Sequence, residues 1–157
     1  DVTEFKFYDG QDTRKLYLSA ILDLFDRRIV SYVIRNRNDN ELVLGTLDKA
    51  LRDNPDAHPL LHSDRGFQYT SHSFHVRIQK HGMIHSMSRV GHCIDNGPME
   101  GFWGILKREM YYRHIYESRN DLVNALEGYL HYYNFERLQR RLSIMTPQEY
   151  HNHYLAA

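Results

Sequence analysis

The chain has 157 residues, with 20 basic and 20 acidic side chains, so its net charge is zero when histidine is neutral. This length fits one domain, and the 12 tyrosines, 7 phenylalanines and one tryptophan exclude a disordered chain. The single cysteine excludes a disulfide scaffold, and no apolar run reaches the roughly 20 residues of a membrane span, so we expect a soluble, cytoplasmic protein.

The first 35 residues predict three β-strands. Val2–Tyr8 is rich in β-branched and aromatic residues, and Lys15–Leu24 alternates apolar and polar positions. Asp9-Gly10 is a turn signal between these two runs, and a second short turn leads into Ile29–Ile34. Strands joined by such short turns form an antiparallel meander.

After residue 35 the apolar period changes to that of helices, with two short strands between them. We expect the following elements in chain order: helix Asn38–Arg52, strand His58–His62, helix Thr70–His81, strand Met83–Met87, a long helix from Gly97-Pro98 through Met110, helix Asn120–Phe135, and a last helix opened by a capping box at Thr146. Three antiparallel strands followed by helix-separated strands predict a mixed α/β sheet with helices on its faces. Ligands of such sheets bind at the carboxyl ends of strands.

Three acids stand at the ends of these elements. Asp64 follows a short apolar strand, Glu100 lies in the first turn of the long helix, and Asp1 begins the first strand. Three converging carboxylates can hold two Mg²⁺ ions about 4 Å apart, and such clustered acids would offset basic DNA-binding residues in a chain whose pI is only near 7.3. The spacing alone equally suits ordinary surface or capping acids.

The chain resembles the catalytic core of bacterial insertion-sequence transposases, the orfB-type proteins of the insertion-sequence-three family, which are related to retroviral integrases. The matching segments run in family order over nearly the whole chain: DVTEF (1–5), KLYLSAILDLFDRRIV (15–30), HSDRGFQYTS (62–71), SMSRVGHCIDNGPMEGFWGILKRE (86–109), HYYNFERLQRRL (131–142) and MTPQEY (145–150). One short motif could arise by chance, whereas this ordered set is highly specific.

The resemblance implies an RNase H-like fold, with a mixed five-stranded sheet whose first three strands are antiparallel and with helices on both faces. It implies that Asp1, Asp64 and Glu100 are the catalytic acids and the ligands of Mg²⁺ or Mn²⁺, with two ions expected. Zinc is not expected, because the histidine spacings lack sulfur partners.

The resemblance also implies DNA contacts around the third acid. Lys107 lies seven residues after Glu100, two helical turns along the same face, where a cation can grip a phosphate or an adjacent base. Arg89 and His92 lie in the preceding loop, which bends over DNA in similar cores. Asn96 is expected at the DNA-binding surface, and its side chain either caps the helix or orients Glu100.

The C-terminal motif adds further candidates. Asn134 and Arg137 match the family pattern, and Arg140 with Arg141 forms a small basic cluster that could track phosphates. Trp103 is expected to pack in the core rather than to stack on a base.

The expected function is that of a transposase core that cleaves double-stranded DNA at transposon ends and transfers the strand into target DNA, as a homo-oligomer. The chain is expected to be a single catalytic domain, residues 1–157, that lacks the family's upstream DNA-binding region. Two alternatives remain at this point. One is an RNase H-like nuclease that only hydrolyses, and the other is a degenerate core that only binds DNA or dimerises.

Overall fold

The first sheet is a three-stranded antiparallel meander. The computed structural model describes residues 1–90 and 93–155. Strands β1 (Val2–Asp9), β2 (Asp12–Leu22) and β3 (Ile29–Arg35) lie in the order β1-β2-β3. Gly10 turns the chain between β1 and β2 at φ +64°, a backbone conformation that glycine adopts without strain. The three predicted strands and their antiparallel pairing are confirmed.

The remaining elements alternate helices with a short parallel pair of strands. They are α1 (Asn40–Asp53), β4 (Leu60–Ser63), α2 (His72–Lys80), β5 (Ile84–Met87), α3 (Gly97–Leu106), α4 (Arg119–Phe135) and α5 (Pro147–Leu155). Short 3-10 segments cover Cys93–Asn96 and Arg140–Leu142. The predicted long helix is not α-helical throughout, because Lys107–Tyr111 continues α3 as a π-helical segment.

A groove separates the two groups of strands. The hydrogen-bonded ladders of the described residues form a three-stranded sheet and a separate parallel pair, β4-β5, rather than one continuous ladder of five strands. The groove has a volume of about 630 Å³, and its lining includes Ile21, Leu22, Leu61 and Asp1. The mixed α/β architecture is as predicted. Asp1, directly before β1, and the residues of β4 both line the groove.

The two faces of the first sheet lie against different helices. On one face, buried side chains such as Leu16 and Leu18 of β2 pack with Phe102 and Leu106 of α3 and with the apolar side of α4. On the other face, Ile21 packs against a second apolar cluster, which is built mainly by α1 and α2 and which Leu61 of β4 also contacts. This division follows from the strand period of two, because successive side chains point to opposite faces.

Side chains cap the starts of four helices among the described residues. Asp39, Ser71 and Ser118 each accept a hydrogen bond from a backbone N–H in the first turn of α1, α2 and α4. The capping box of α5 is reciprocal: Glu149 N donates to Thr146 Oγ1 at 3.1 Å, and Thr146 N donates to Glu149 Oε2 at 2.8 Å. Within the described ranges, no helix is long and apolar enough to cross a membrane.

Candidate active site

Asp1 is fixed by hydrogen bonds at the start of β1. Its backbone pairs with Ala20 of β2 through two bonds of 3.0 Å. Its carboxylate accepts three more: Oδ1 from Val2 N at 2.7 Å, and Oδ2 from Asn96 Nδ2 and Trp103 Nε1, each at 3.1 Å. The side chain of Asp1 is therefore held in one orientation towards the beginning of α3.

Asp64 lies in the turn that follows β4. Its Oδ1 accepts a hydrogen bond from Gly66 N at 2.9 Å, and its carbonyl accepts one from Ser63 Oγ at 2.8 Å. A Cβ on residue 66 would lie 3.1 Å from Asp64 Oδ1, which is tighter than nine in ten real Cβ contacts. Glycine at position 66 thus allows the turn to close tightly against the carboxylate, and Asp64 is positioned at the carboxyl end of its strand as predicted.

Asp1 and the strand end that carries Asp64 border the same groove. The groove lining includes Asp1 and Ser63, the residue directly before Asp64. The end of β4 and the residue that precedes β1 therefore both face this groove.

Glu100 occupies the first turn of α3, where its side chain is exposed. The partial positive charge of a helix N-terminus favours an acid there. The side chain of Asn96 forms no capping bond to α3 and donates instead to Asp1. Of the two alternatives for Asn96, the side-chain cap does not form, because its amide is turned towards Asp1.

Lys107 follows Glu100 by two turns, at the junction between α3 and the π-helical segment. Its side chain is half-buried, with Nζ over the ring of Phe5 at 5.3 Å from the centroid. Burial lowers the pKa of Lys107, and the nearby carboxylate of Glu4 partly opposes this effect. Lys107 lies beside β1, and its contact with DNA stays a prediction.

Arg89 is engaged within its own loop. Its backbone N and its Nε donate to Asp95 Oδ2 at 3.0 Å each, and its Nη2 donates to Asp95 Oδ1 at 2.8 Å. A phosphate contact by Arg89 would have to replace or share this ion pair. His92, from the same loop, lies outside the described residues.

The residues of the C-terminal motif divide into two groups. Asn134 and Arg137 stabilise the fold: Asn134 pairs with both backbone groups of Ile29 at 2.9 and 3.0 Å, and Arg137 binds Glu109 with its Nη2 at 2.6 Å. Arg140 and Arg141 lie in the 3-10 segment after α4, and both are exposed. None of the hydrogen bonds described above involves their side chains, and their role as phosphate contacts stays a prediction.

Trp103 is the residue whose role the sequence did not reveal. It is buried in the core, as predicted, with only 7% of its surface exposed. Its indole N–H also donates to Asp1. A buried tryptophan normally donates its N–H to an acceptor, so the residue type alone indicates that Trp103 has a partner. Nothing in the sequence indicates which acceptor that is.

The donor chemistry of the site fits a hard divalent cation. Asp1, Asp64 and Glu100 offer only carboxylate oxygens, which are the ligands that Mg²⁺ prefers. In the described part of the chain, no group of three or more His, Cys, Asp or Glu side chains is already gathered around one point that could hold a metal ion. Close convergence of all three acids therefore stays a prediction.

Comparison with known protein families assigns most of the chain to one kind of domain. Two family models described as integrase core domain match residues 1–93 and 100–155. The chain is 40% identical over 153 residues to the protein named as transposase InsK of insertion sequence IS150 from Escherichia coli, covering 97% of this chain and 53% of that protein. It is 39% identical to a transposase-like protein of Haemophilus influenzae, covering 96% of this chain and 68% of that protein. The chain thus spans about half to two thirds of these relatives.

The fold is shared with retroviral integrase cores. The catalytic core domain of HTLV-2 integrase, solved in complex with magnesium, superposes with a TM-score of 0.70 at 18% sequence identity. The match covers 96% of this chain and 92% of that one. At this identity the likeness concerns the fold, which is the predicted RNase H-like one.

Proposed function

The chain belongs to the integrase core domain family, and from this premise we propose that it is the catalytic core of a DNA transposase. The observation that carries the proposal is the pair of hydrogen bonds that tie the Asp1 carboxylate to Asn96 and Trp103 around Glu100, beside a groove that Asp1 shares with Ser63, the residue before Asp64. The proposed reaction cleaves DNA at the ends of a mobile element and joins the freed end to target DNA.

We propose that the three acids act with divalent cations. Asp1, Asp64 and Glu100 would hold Mg²⁺ or Mn²⁺, and when bound such ions supply positive charge that activates an attacking oxygen and stabilises the leaving oxygen at phosphorus. The magnesium complex of the HTLV-2 integrase core supports this choice by analogy of fold.

The protein's own contribution to the reaction is positioning. Each step is an in-line displacement at phosphorus, first by water and then by the freed 3′-hydroxyl, without a covalent bond to the protein. Holding the phosphate and the attacking oxygen in place removes much of the entropic barrier. The hydrogen bonds of Asp1 and the tight turn at Asp64 are suited to this task, because they limit the movement of both carboxylates.

DNA contacts are proposed for five residues around this centre. Lys107 would neutralise a phosphate next to the scissile one, and the others would hold the flanking backbone: Arg89, Asn96, Arg140 and Arg141. The substrates would be double-stranded element ends and target DNA, bound by a homo-oligomer at the bacterial nucleoid. Exposed cationic side chains suit such contacts even though the whole chain has no net charge.

A strand-transfer assay tests the proposal. The chain, or a longer protein that contains it, is incubated with Mn²⁺, a labelled duplex with a free 3′-hydroxyl and a plasmid target, beside the Asp64→Asn variant. Joined product in the wild type and none in the variant supports the proposal. Cleavage without joining favours a nuclease that only hydrolyses, and equal products from both proteins contradict the assignment of the acids.

A further inference from the structure

The side chain of Trp103 links the hydrophobic core to the first acid. Its ring packs against Phe102 at 5.0 Å between centroids and belongs to the buried cluster beneath β1 and β2. Its Nε1–H leaves this cluster and donates to Asp1 Oδ2 at 3.1 Å. Since the ring is buried in this cluster, core packing sets the position of the N–H donor.

The same carboxylate oxygen accepts from Asn96 Nδ2, also at 3.1 Å. Asn96 directly precedes α3, and Glu100 and Trp103 follow it by four and seven residues. The two donors that hold Asp1 therefore lie on either side of Glu100 in the sequence. Both connect the Asp1 carboxylate to the part of the chain that carries Glu100.

We propose that Trp103 is a positioning residue, whose indole N–H, assisted by the amide of Asn96, holds Asp1 in register with Glu100. The inference rests on the proposed function, because it assumes that Asp1 is a metal ligand. Hydrogen bonds from surrounding side chains orient carboxylate ligands, and their loss typically costs 10- to 100-fold in metal affinity.

The composition of the chain supplies a direct probe of this contact. Trp103 is the only tryptophan among 12 tyrosines, so emission excited selectively at the indole band reports on one side chain. That indole lies one hydrogen bond away from Asp1. Binding of Mg²⁺ to Asp1 changes the charge seen by the indole, and the emission of the wild-type chain is expected to shift during a Mg²⁺ titration.

The test measures Mn²⁺ affinity by calorimetry in three variants. Trp103→Phe removes the N–H, Asn96→Ala removes the second donor, and Tyr116→Phe is the matched control, because it removes a donor from the same core cluster whose partner is Met110 rather than Asp1. We expect the dissociation constant for Mn²⁺ to rise about tenfold in the first two variants and to change less than twofold in the control. A Trp103→Phe variant that binds like the wild type, or a control that is weakened equally, overturns the inference.

A chemical analogue separates the hydrogen bond from packing. Replacing Trp103 with 3-benzothienylalanine keeps the shape of the ring and lacks the N–H, so it tests the bond even if Trp103→Phe folds poorly. Weakened Mn²⁺ binding by the analogue supports the inference, and wild-type binding overturns it. Failure of the proposed function looks different: the wild-type chain then binds no Mn²⁺, or Asp64→Asn binds it as well as the wild type does.

Discussion

The two ends of the helix that carries Glu100 are held in different ways. At the N-terminal end, the contacts of Asn96 and Trp103 are directed at one carboxylate, that of Asp1, while Glu100 itself is exposed. At the C-terminal end, Tyr111 Oη donates to the carbonyl of Lys6 at 3.0 Å and accepts from its N–H at 2.9 Å. The first end orients a charge, and the second end joins the helix to a strand.

The C-terminal end is further braced against α4. Glu109 accepts from Arg137 at 2.6 Å and from Tyr129 Oη at 2.8 Å, and Leu106 is fully buried in the core just before these contacts. We therefore expect catalysis to depend on the N-terminal end of this helix and the stability of the fold to depend on its C-terminal end. Substitution of the exposed Glu100 should remove activity without unfolding the protein, whereas substitutions at the C-terminal end should lower the stability.

The largest effect is expected from Glu100→Gln, made in a protein that contains this core. The change removes a ligand charge without altering the size of the side chain, so strand transfer should fall by about a thousandfold or more. Because Glu100 is exposed, the melting temperature should stay within about 2 °C of the wild type. Residual activity near the wild-type level would remove Glu100 from the candidate site.

Leu106→Ala should lower the free energy of unfolding by weakening the C-terminal end of the helix. It leaves a cavity in the core beneath β1 and β2, and such changes cost about 2–5 kcal/mol in the free energy of unfolding. Urea denaturation measures the loss, with Ile105→Ala, which is only partly buried, as the milder control. Equal destabilisation by both variants would show that the end of α3 is not anchored through Leu106.

Glu109→Gln should lower the stability of the C-terminal end of the helix by an amount that depends on pH. The Arg137 guanidinium, with help from Tyr129, lowers the pKa of Glu109 below its ordinary value of 4.5. The ionised carboxylate therefore stabilises the fold above that pH, and the stabilisation is lost as the pH falls through the lowered pKa. Because Glu109 is partly exposed, solvent screening limits the effect to about 1 kcal/mol.

The measurement is urea denaturation of wild type and Glu109→Gln at pH 7 and pH 3. The gap in stability between the two proteins should be present at pH 7 and should narrow towards pH 3. A gap that is independent of pH would mean that the charge of Glu109 contributes nothing at this end of the helix.

Lys107→Ala is expected to give the smallest effect, at the junction between the two ends. Loss of one phosphate contact should weaken DNA binding and reduce the slope of log affinity against log salt by about one. Fluorescence anisotropy with labelled duplex DNA measures the slope, and Mn²⁺ binding should be unchanged. A variant that loses Mn²⁺ as completely as Glu100→Gln does would place Lys107 in support of the acids instead.

Local patterns were sufficient to predict most elements of the fold. The alternation around Leu16 and Leu18 indicates a strand with one buried face, and the structure buries both. The capping box at Thr146 predicted the start of α5, because both of its hydrogen bonds form within four residues. Such signals are readable because the interacting groups are close in the sequence.

The contacts that escaped prediction join distant residues. The bond from Trp103 to Asp1 spans 102 positions, and the pair of Arg137 with Glu109 spans 28. Their partners are chosen by the packing of helices on the sheet, which no periodicity encodes. For the same reason the sequence predicted the three acids as a group but could not show how Asp1 is oriented.

The π-helical segment after α3 changes the direction in which the following side chains point around the helix axis. Tyr112 N donates to Lys107 O at 2.8 Å, five residues back, so the loop closed by this bond holds one residue more than the loop of an α-helical bond. One residue of an α-helix corresponds to about 100° of rotation. The extra residue therefore turns the end of the segment, where Tyr111 lies, to a different angle around the helix axis from the one that an uninterrupted α-helix starting at Glu100 would give.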